Sequence, residues 1–373
     1  MTKLTPPMGW NSWNTYGSNI NAQLIMEMAD AMVEEGLLEK GYEYLVIDDC
    51  WSLRERDENE CLVPDPEKFP QGMKPVVDYV HSKGLKFGMY SCAGTLTCAG
   101  FPGSYEHEFT DAQTFAQWGV DFLKYDYCYH SPVIHGKHLY RRMGIALENC
   151  GREILFSACS WGMDETHEWI RSTGASAWRS TGDLVDSWAS VKKRIREQHD
   201  RYPYGGVGCF NDMDMLVVGM YGVGNAGMEG CNDVQYKTHF SIWALLGSPL
   251  MIGCDIRNMS EATKSILTNE ELIRINQDRA CRQPIKVSRG EDILIYSKLL
   301  ENGDIAIGIF NLGETECYAS LNLDEIGLPF STGMTLRLKE VWTGEESAVK
   351  NACIQKKLDA YDCAVYRAKV VKQ

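Results

Sequence analysis

Met8-Gly9-Trp10-Asn11-Ser12-Trp13 is the first strand pattern of this 373-residue chain, and its reading decides the fold. It is a short apolar run that ends in a polar turn. An open, doubly wound sheet usually follows its first strand with a glycine-rich phosphate turn, and none is present here. Seven more strand patterns come after it: Tyr42–Asp49, Lys86–Ser91, Phe122–Tyr127, Ile154–Ser160, Trp178–Asp183, Phe210–Leu216 and Pro249–Asp255. Amphipathic stretches alternate with them. Ala22–Glu35 places Leu24, Ile25, Met28 and Met32 on one face, and Asp111–Trp118 and Ser190–His199 follow the same period. Asp233–Leu246 runs into Gly247-Ser248-Pro249, which stops a helix and starts a strand. Eight strand–helix units predict a (β/α)8 TIM barrel, an α/β catalytic domain over residues 1–281.

Beyond residue 281 the texture changes. Ile293–Lys298, Ile305–Asn311, Glu316–Leu323, Thr335–Val341 and Ala364–Ala368 read as short strands, separated by turns such as Glu301-Asn302-Gly303-Asp304. Residues 282–373 are therefore expected to form a C-terminal antiparallel β-sandwich domain.

The composition, 44% hydrophobic and 24% charged, is that of a globular protein without low-complexity tracts. A net charge of −14 disfavours a nucleic-acid partner and leaves a neutral ligand as the natural one. No apolar run reaches the roughly 18 residues of a membrane span, so no membrane partner is expected. The first ten residues lack a secretory h-region, from which a cytoplasmic location is expected. Fourteen Cys are dilute in a chain of this length, so reduced and mostly buried thiols are the default. Neither they nor the eight His show metal-site spacing, and no metal or cofactor is expected.

The C-terminal ends of barrel strands carry reactive groups. Here they hold Trp13, Asp48-Asp49-Cys50-Trp51, Tyr90, Lys124 with Asp126, Ser160-Trp161, Arg179 with Asp183, and Asp212, Asp214 and Met215. Strand period puts Lys124 and Asp126 on one side of the same strand. The cation is expected to hold Asp126 ionised, and that charge in turn to keep a proton on Asp183. One bare carboxylate and one protonated one is the pair that retaining glycoside cleavage uses. Asp48 and Asp49 suit sugar hydroxyls. Trp13, Trp51, Tyr90, Trp161 and Met215 would give an apolar platform for the sugar ring. Two other readings of the same residues exist: a metal site built on Asp48, Asp49, Asp212 and Asp214, and a sugar-binding protein without turnover.

These residues lie in motifs. Pro7-Met8-Gly9-Trp10-Asn11-Ser12-Trp13, Ile47-Asp48-Asp49-Cys50-Trp51, Cys98-Ala99-Gly100-Phe101-Pro102-Gly103-Ser104, Lys124-Tyr125-Asp126, Trp178-Arg179-Ser180-Thr181-Gly182-Asp183, Asn211-Asp212-Met213-Asp214-Met215-Leu216 and Ile275-Asn276-Gln277-Asp278 occur in this order. With them the chain resembles glycoside hydrolase family 27, the α-galactosidase and α-N-acetylgalactosaminidase family. The resemblance implies a retaining hydrolase for terminal α-linked galactose on an oligosaccharide or glycoconjugate. It implies Asp126 as nucleophile and Asp183 as acid/base. Asp48 and Asp49 would take the 4- and 6-hydroxyls, Lys124 the 3- and 4-hydroxyls and Arg179 the 2-position, with Trp13, Tyr90, Asp214 and Met215 shaping the pocket. No cofactor or metal is implied, and a homo-oligomer is compatible with the family. Ser160 matches the N-acetylgalactosaminidases at the 2-position pocket, whereas Met163 is larger than the small residue found there. Cys98 and Cys128 match a family disulfide, but the partners commonly paired with Cys50 and Cys159 are missing. That fits Cys98 and Cys128 as near neighbours left reduced and leaves their bonding open. The loop Gly222–Asn232 is longer than usual.

Overall fold

The computed structural model describes residues 5–198, 200–288 and 290–372. Met1–Leu4, and His199 at the end of the expected helix Ser190–His199, lie outside the described residues.

Eight short strands form one parallel sheet: β1 (Met8–Asn11), β2 (Tyr44–Val46), β3 (Lys86–Cys92), β4 (Phe122–Asp126), β5 (Leu155–Cys159), β6 (Ala177–Arg179), β7 (Phe210–Asp212) and β8 (Leu250–Ile252). Their order is β7-β6-β5-β4-β3-β2-β1-β8. The ring closes through Leu216, just past β7, whose N–H donates to Met251 O at 2.7 Å and which bridges Ile252 in parallel. All eight expected strands are present. Seven are shorter than their apolar patterns because the residues past their ends turn into the loops of the barrel mouth, and β3 runs one residue beyond its pattern.

The helices are α1 (Trp13–Tyr16, one turn), α2 (Ala22–Glu34), α3 (Lys74–Ser82), α4 (Glu108–Trp118), α5 (Gly136–Asn149), α6 (Thr166–Trp169, one turn), α7 (Trp188–Glu197), α8 (Asp233–Leu245), α9 (Glu261–Leu267) and α10 (Glu270–Asn276). Side-chain caps mark several starts. Asn21 Oδ1 accepts from Leu24 N, Ser187 Oγ accepts from Ser190 N, and Asn232 with Gln235 makes a reciprocal capping box. Among the described residues no helix is long and apolar enough to cross a membrane.

The C-terminal part is antiparallel. Strands β9 (Ile285–Lys286), β10 (Ile293–Leu299), β11 (Ile305–Asn311), β12 (Cys317–Asn322), β13 (Met334–Glu340), β14 (Glu346–Ala348), β15 (Cys353–Leu358) and β16 (Cys363–Lys372) make a six-stranded sheet, β14-β13-β16-β11-β10-β9, and a two-stranded one, β12-β15. Alternation along β11 assigns its two faces. Ile305, Ile307 and Ile309 join the sandwich interior with Leu321, Leu336 and Ile354, while Ala306 and Phe310 join the barrel's own core. The larger sheet is thus covered on both sides, by β12-β15 and by α8. This explains why α8 is buried nearly all round, from Gln235 to Leu245, where its sequence reads as merely amphipathic.

Candidate active site

At the C-terminal mouth of the barrel a cavity of about 150 Å3 is lined by Trp13, Asp48, Asp49, Tyr90, Lys124, Asp126, Arg179, Asp183, Asp214 and Met215. Ten of the twelve expected site residues therefore converge. A larger groove of about 950 Å3 lies at the opposite end, among Glu43, Lys86, Asp121 and Arg152 at the strand starts, away from the ends that carry chemistry in this fold.

Asp126 ends β4 and is buried. Its carboxylate accepts from Tyr90 Oη at 3.0 Å and from Tyr127 N at 2.9 Å. Lys124, two residues earlier, gives its Nζ to Asp48 at 2.8 Å rather than to Asp126, and sits 5.3 Å from the Tyr90 ring centre. Burial works against the Lys124 charge, yet Asp48 and the other anions outweigh it and hold the lysine above its ordinary pKa. Asp48 also accepts from Asn11 Nδ2 at 2.8 Å. Asp49 turns away, accepting from Cys50 N, Thr97 Oγ1 and Ala99 N at 2.7, 2.9 and 3.0 Å, and burial raises its pKa.

Asp183 lies four residues beyond β6, on a loop, with its side chain 73% exposed. Arg179 holds it at 3.0 Å through Nη2 and holds Asp214 at 2.9 Å through Nη1. Asp214 adopts a left-handed conformation, φ 85°, just past β7. Its carboxylate also accepts from Leu184 N at 2.5 Å and Met215 N at 2.7 Å. One anion therefore ties the strand-7 end to the residue next to Asp183. Cys50 and Trp161 are likewise left-handed just past strand ends (φ 71° and 55°). Strain gathers at this rim, at a usual cost of about 1–3 kcal/mol per residue.

The protonation order expected from sequence is reversed in this pocket. Burial pushes Asp126 up to about 6; Lys124 and Tyr127 N oppose this, and Asp183 adds to it. Crowding at the mouth works to raise Asp183, but Arg179 and Lys124 outweigh it and hold the carboxyl below the usual range. Its 73% exposure weakens the crowding further. The reversal comes from the burial of Asp126 and from Arg179 beside Asp183; Lys124, engaged with Asp48 just past another strand, offsets that burial only in part.

Other expectations also change. Ser160 is buried and its hydroxyl meets Thr166 Oγ1 at 2.5 Å; it does not line the cavity. Trp161 packs edge-on against Tyr127, 6.5 Å between ring centres, outside the cavity as well. Trp51 packs against Phe115 and Trp118, leaving only Trp13, Tyr90 and Met215 of the expected platform. Asp48, Asp49, Asp212 and Asp214 do not converge on one point. Among the described residues, Cys98, Asp126 and Cys128 form the one group of three ligand-type side chains within 4.8 Å of one another. Its two sulfurs are joined in a disulfide, with Cα atoms 5.1 Å apart, so the reduced default fails at this pair. Among the described residues no second disulfide is present.

Six lining residues escaped the sequence reading: Asn14, Cys98, Leu184, Val185, Asn225 and Ala226. Leu184 and Val185 could have been found by their adjacency to Asp183. Asn225 and Ala226 lie in the long Gly222–Asn232 loop, whose length was the available signal.

Comparison with known proteins gives a consistent result. Residues 5–278 match the family model described as alpha galactosidase A, and residues 290–368 match the alpha galactosidase C-terminal beta sandwich domain. The chain is 44% identical over 365 residues to an alpha-galactosidase of Coffea arabica, covering 97% of this chain and 93% of that one. It is similar to the crystal structure of alpha-galactosidase I from Mortierella vinacea, with a TM-score of 0.92, 34% identity, and coverage of 98% and 97% of the two chains. An α-galactosidase structure from Saccharomyces cerevisiae with raffinose superposes with a TM-score of 0.88 at 30% identity, covering 99% and 98%.

Proposed function

The chain belongs to glycoside hydrolase family 27, the α-galactosidase family, and from that premise we propose that it is a retaining α-galactosidase releasing terminal α-linked D-galactose from oligosaccharides of the raffinose type. The observation that carries the reading is the placement of Asp126 and Asp183 on one small cavity, one buried at the end of β4 and one exposed at the lip.

In the proposed first step Asp126, ionised above about pH 6, attacks the anomeric carbon. Asp183, ionised in the empty pocket, takes up a proton once the seated sugar covers it and draws Arg179 to the 2-hydroxyl, and gives that proton to the leaving oxygen. The bond to the leaving group breaks and a β-galactosyl ester forms on Asp126. In the second step Asp183 takes a proton from water, which displaces the ester and releases α-galactose. Tyr90 and Tyr127 N fix the nucleophile's oxygens. Asp48 and Lys124, an ion pair half-buried at the lysine, would divide the ring hydroxyls as acceptor and donor, with Asp49 bounding that end of the pocket. Arg179 reaches the 2-hydroxyl side while holding Asp183. Trp13 and Met215 bound the ring by contact. An N-acetylgalactosaminidase reading is not favoured, because the Ser160 hydroxyl is committed to Thr166 outside the cavity.

The test is a 2-deoxy-2-fluoro α-galactoside that traps the ester, followed by digestion and mass mapping. The label is expected on Asp126, and a label on any other side chain would overturn the mechanism.

A further inference from the structure

The Gly222–Asn232 loop is a built structure whose construction the reaction chemistry does not explain. Asp186, fully buried, organises it. Its carboxylate accepts from Gly222 N at 2.7 Å, Tyr236 Oη at 2.8 Å and Cys231 N at 3.1 Å. Its backbone donates to Ala226 O at 2.9 Å and accepts from Gly230 N at 3.0 Å. The loop's other edge is fastened to the turn after β1, where Asn225 N donates to Thr15 O at 3.1 Å and Ala226 N to Asn14 O at 2.8 Å. Gly224 permits that contact: at φ 97°, a Cβ there would stand 2.8 Å from Thr15 Cα. The loop is thus clamped between the Trp13 turn and the segment Asp183–Asp186.

This clamp sets Asn225 on the cavity lip with Leu184 and Val185, the two residues that follow Asp183. The floor of the cavity is polar and already committed. Asp48 pairs with Lys124, Asp214 with Arg179, and Asp126 with Tyr90. Asn225 is exposed, its side chain lies beside Gly17, and among the described residues its amide makes no hydrogen bond. If Asp183 protonates the leaving oxygen, whatever that oxygen is attached to must lie outward from Asp183, on the lip.

We propose that the clamped loop forms the leaving-group subsite and that the Asn225 amide hydrogen-bonds hydroxyls of the sugar to which galactose is attached. The loop then selects saccharide leaving groups over small ones. This inference rests on the α-galactosidase reading and names the substrate class within it. An amide suits the role because it donates and accepts at once, as vicinal hydroxyls require.

The experiment compares kcat/KM on α-galactosyl-(1→6)-glucose, which fills the subsite, with kcat/KM on α-galactosyl fluoride, which leaves it empty. In Asn225→Ala the ratio of the two is expected to fall about fivefold, the worth of one ordinary hydrogen bond. In Asn225→Gln, which keeps the amide on a longer stem, it should be partly restored. A merely structural residue would move both constants together. An unchanged ratio in Asn225→Ala overturns the subsite alone. A wild-type protein that cleaves neither substrate overturns the α-galactosidase reading and the subsite with it.

Discussion

Asp126 shows how much one buried carboxylate costs and why the cost is kept. Its pKa is raised to about 6 by burial, against an ordinary Asp value near 4. Between those values the folded state binds more protons than the unfolded one, so folding stability falls as pH rises through that window. Above about pH 6 the ionised carboxylate carries its full desolvation cost, about 3 kcal/mol for a shift of this size. Asp126→Asn should therefore unfold at higher denaturant than wild type at pH 7.5, and the gap should shrink towards zero by pH 4. Urea titrations at both pH values measure it; a gap that stays constant would mean that burial does not govern this residue. At this scale the sequence revealed the participants but not their pairing. Lys124 stands two residues from Asp126 and reads as its partner, whereas its Nζ reaches Asp48, 76 positions away in the chain. Such a partner is set by the curvature of the barrel, which no local period encodes. The same holds for Ser160 and Trp161, which stand at a strand end yet turn out of the cavity with the left-handed backbone at Trp161.

At the scale of elements, close packing overrides intrinsic preference. Gly144 sits in the middle of α5, where alanine would be favoured by about 1 kcal/mol. A Cβ there would stand 1.8 Å from the Thr173 carbonyl oxygen, in the turn of Ile170–Thr173 against which the helix rests. That overlap cannot be relieved without moving backbone, and forced overpacking costs about 1–3 kcal/mol or more. Gly144→Ala is expected to lower the melting temperature by several degrees despite its helix propensity. An unchanged or higher value would show that the helix can slide off the turn. Glycines of this kind also hid helices from the sequence: α5 begins at Gly136 and contains Gly144, and α3 contains Pro75 in its first turn. The barrel strands were legible because both faces of a parallel strand are buried and leave unbroken apolar runs. In the C-terminal sheet, β14 was missed because all three of its residues are exposed and it sits at the edge. Strand β15, Cys-Ile-Gln-Lys-Lys-Leu, buries only Ile354 and Leu358, too sparse a pattern to register.

At the scale of the whole molecule the barrel and the sandwich share one core, and a buried cation sits at their seam. Lys298, on β10, is 4% exposed and gives its Nζ to Ile275 O at 3.1 Å, in the last turn of α10. The helix end favours a cation there, and Asp278 favours one too. Burial prevails, however, and pushes the lysine down to about 8. An unfolded lysine keeps its proton to about pH 10.4. Below pH 8 both states are protonated and the seam bears the whole cost of the buried charge. Between roughly pH 8 and 10 the folded state sheds the proton while the unfolded chain holds it, so this group's contribution to stability rises with pH. Lys298→Met keeps the stem's volume and removes the charge, but it strips the Ile275 carbonyl of its donor, a loss of about 1 kcal/mol. The remainder favours the variant by about 2 kcal/mol at pH 7. Denaturant curves should show that advantage at pH 7 and its disappearance by pH 9.5. Comparing the two proteins at each pH cancels the buried thiols and tyrosines that titrate in the same range. A Lys298→Met variant less stable than wild type at pH 7 would mean that the hydrogen bond and the helix end, rather than burial, decide the energy of the seam.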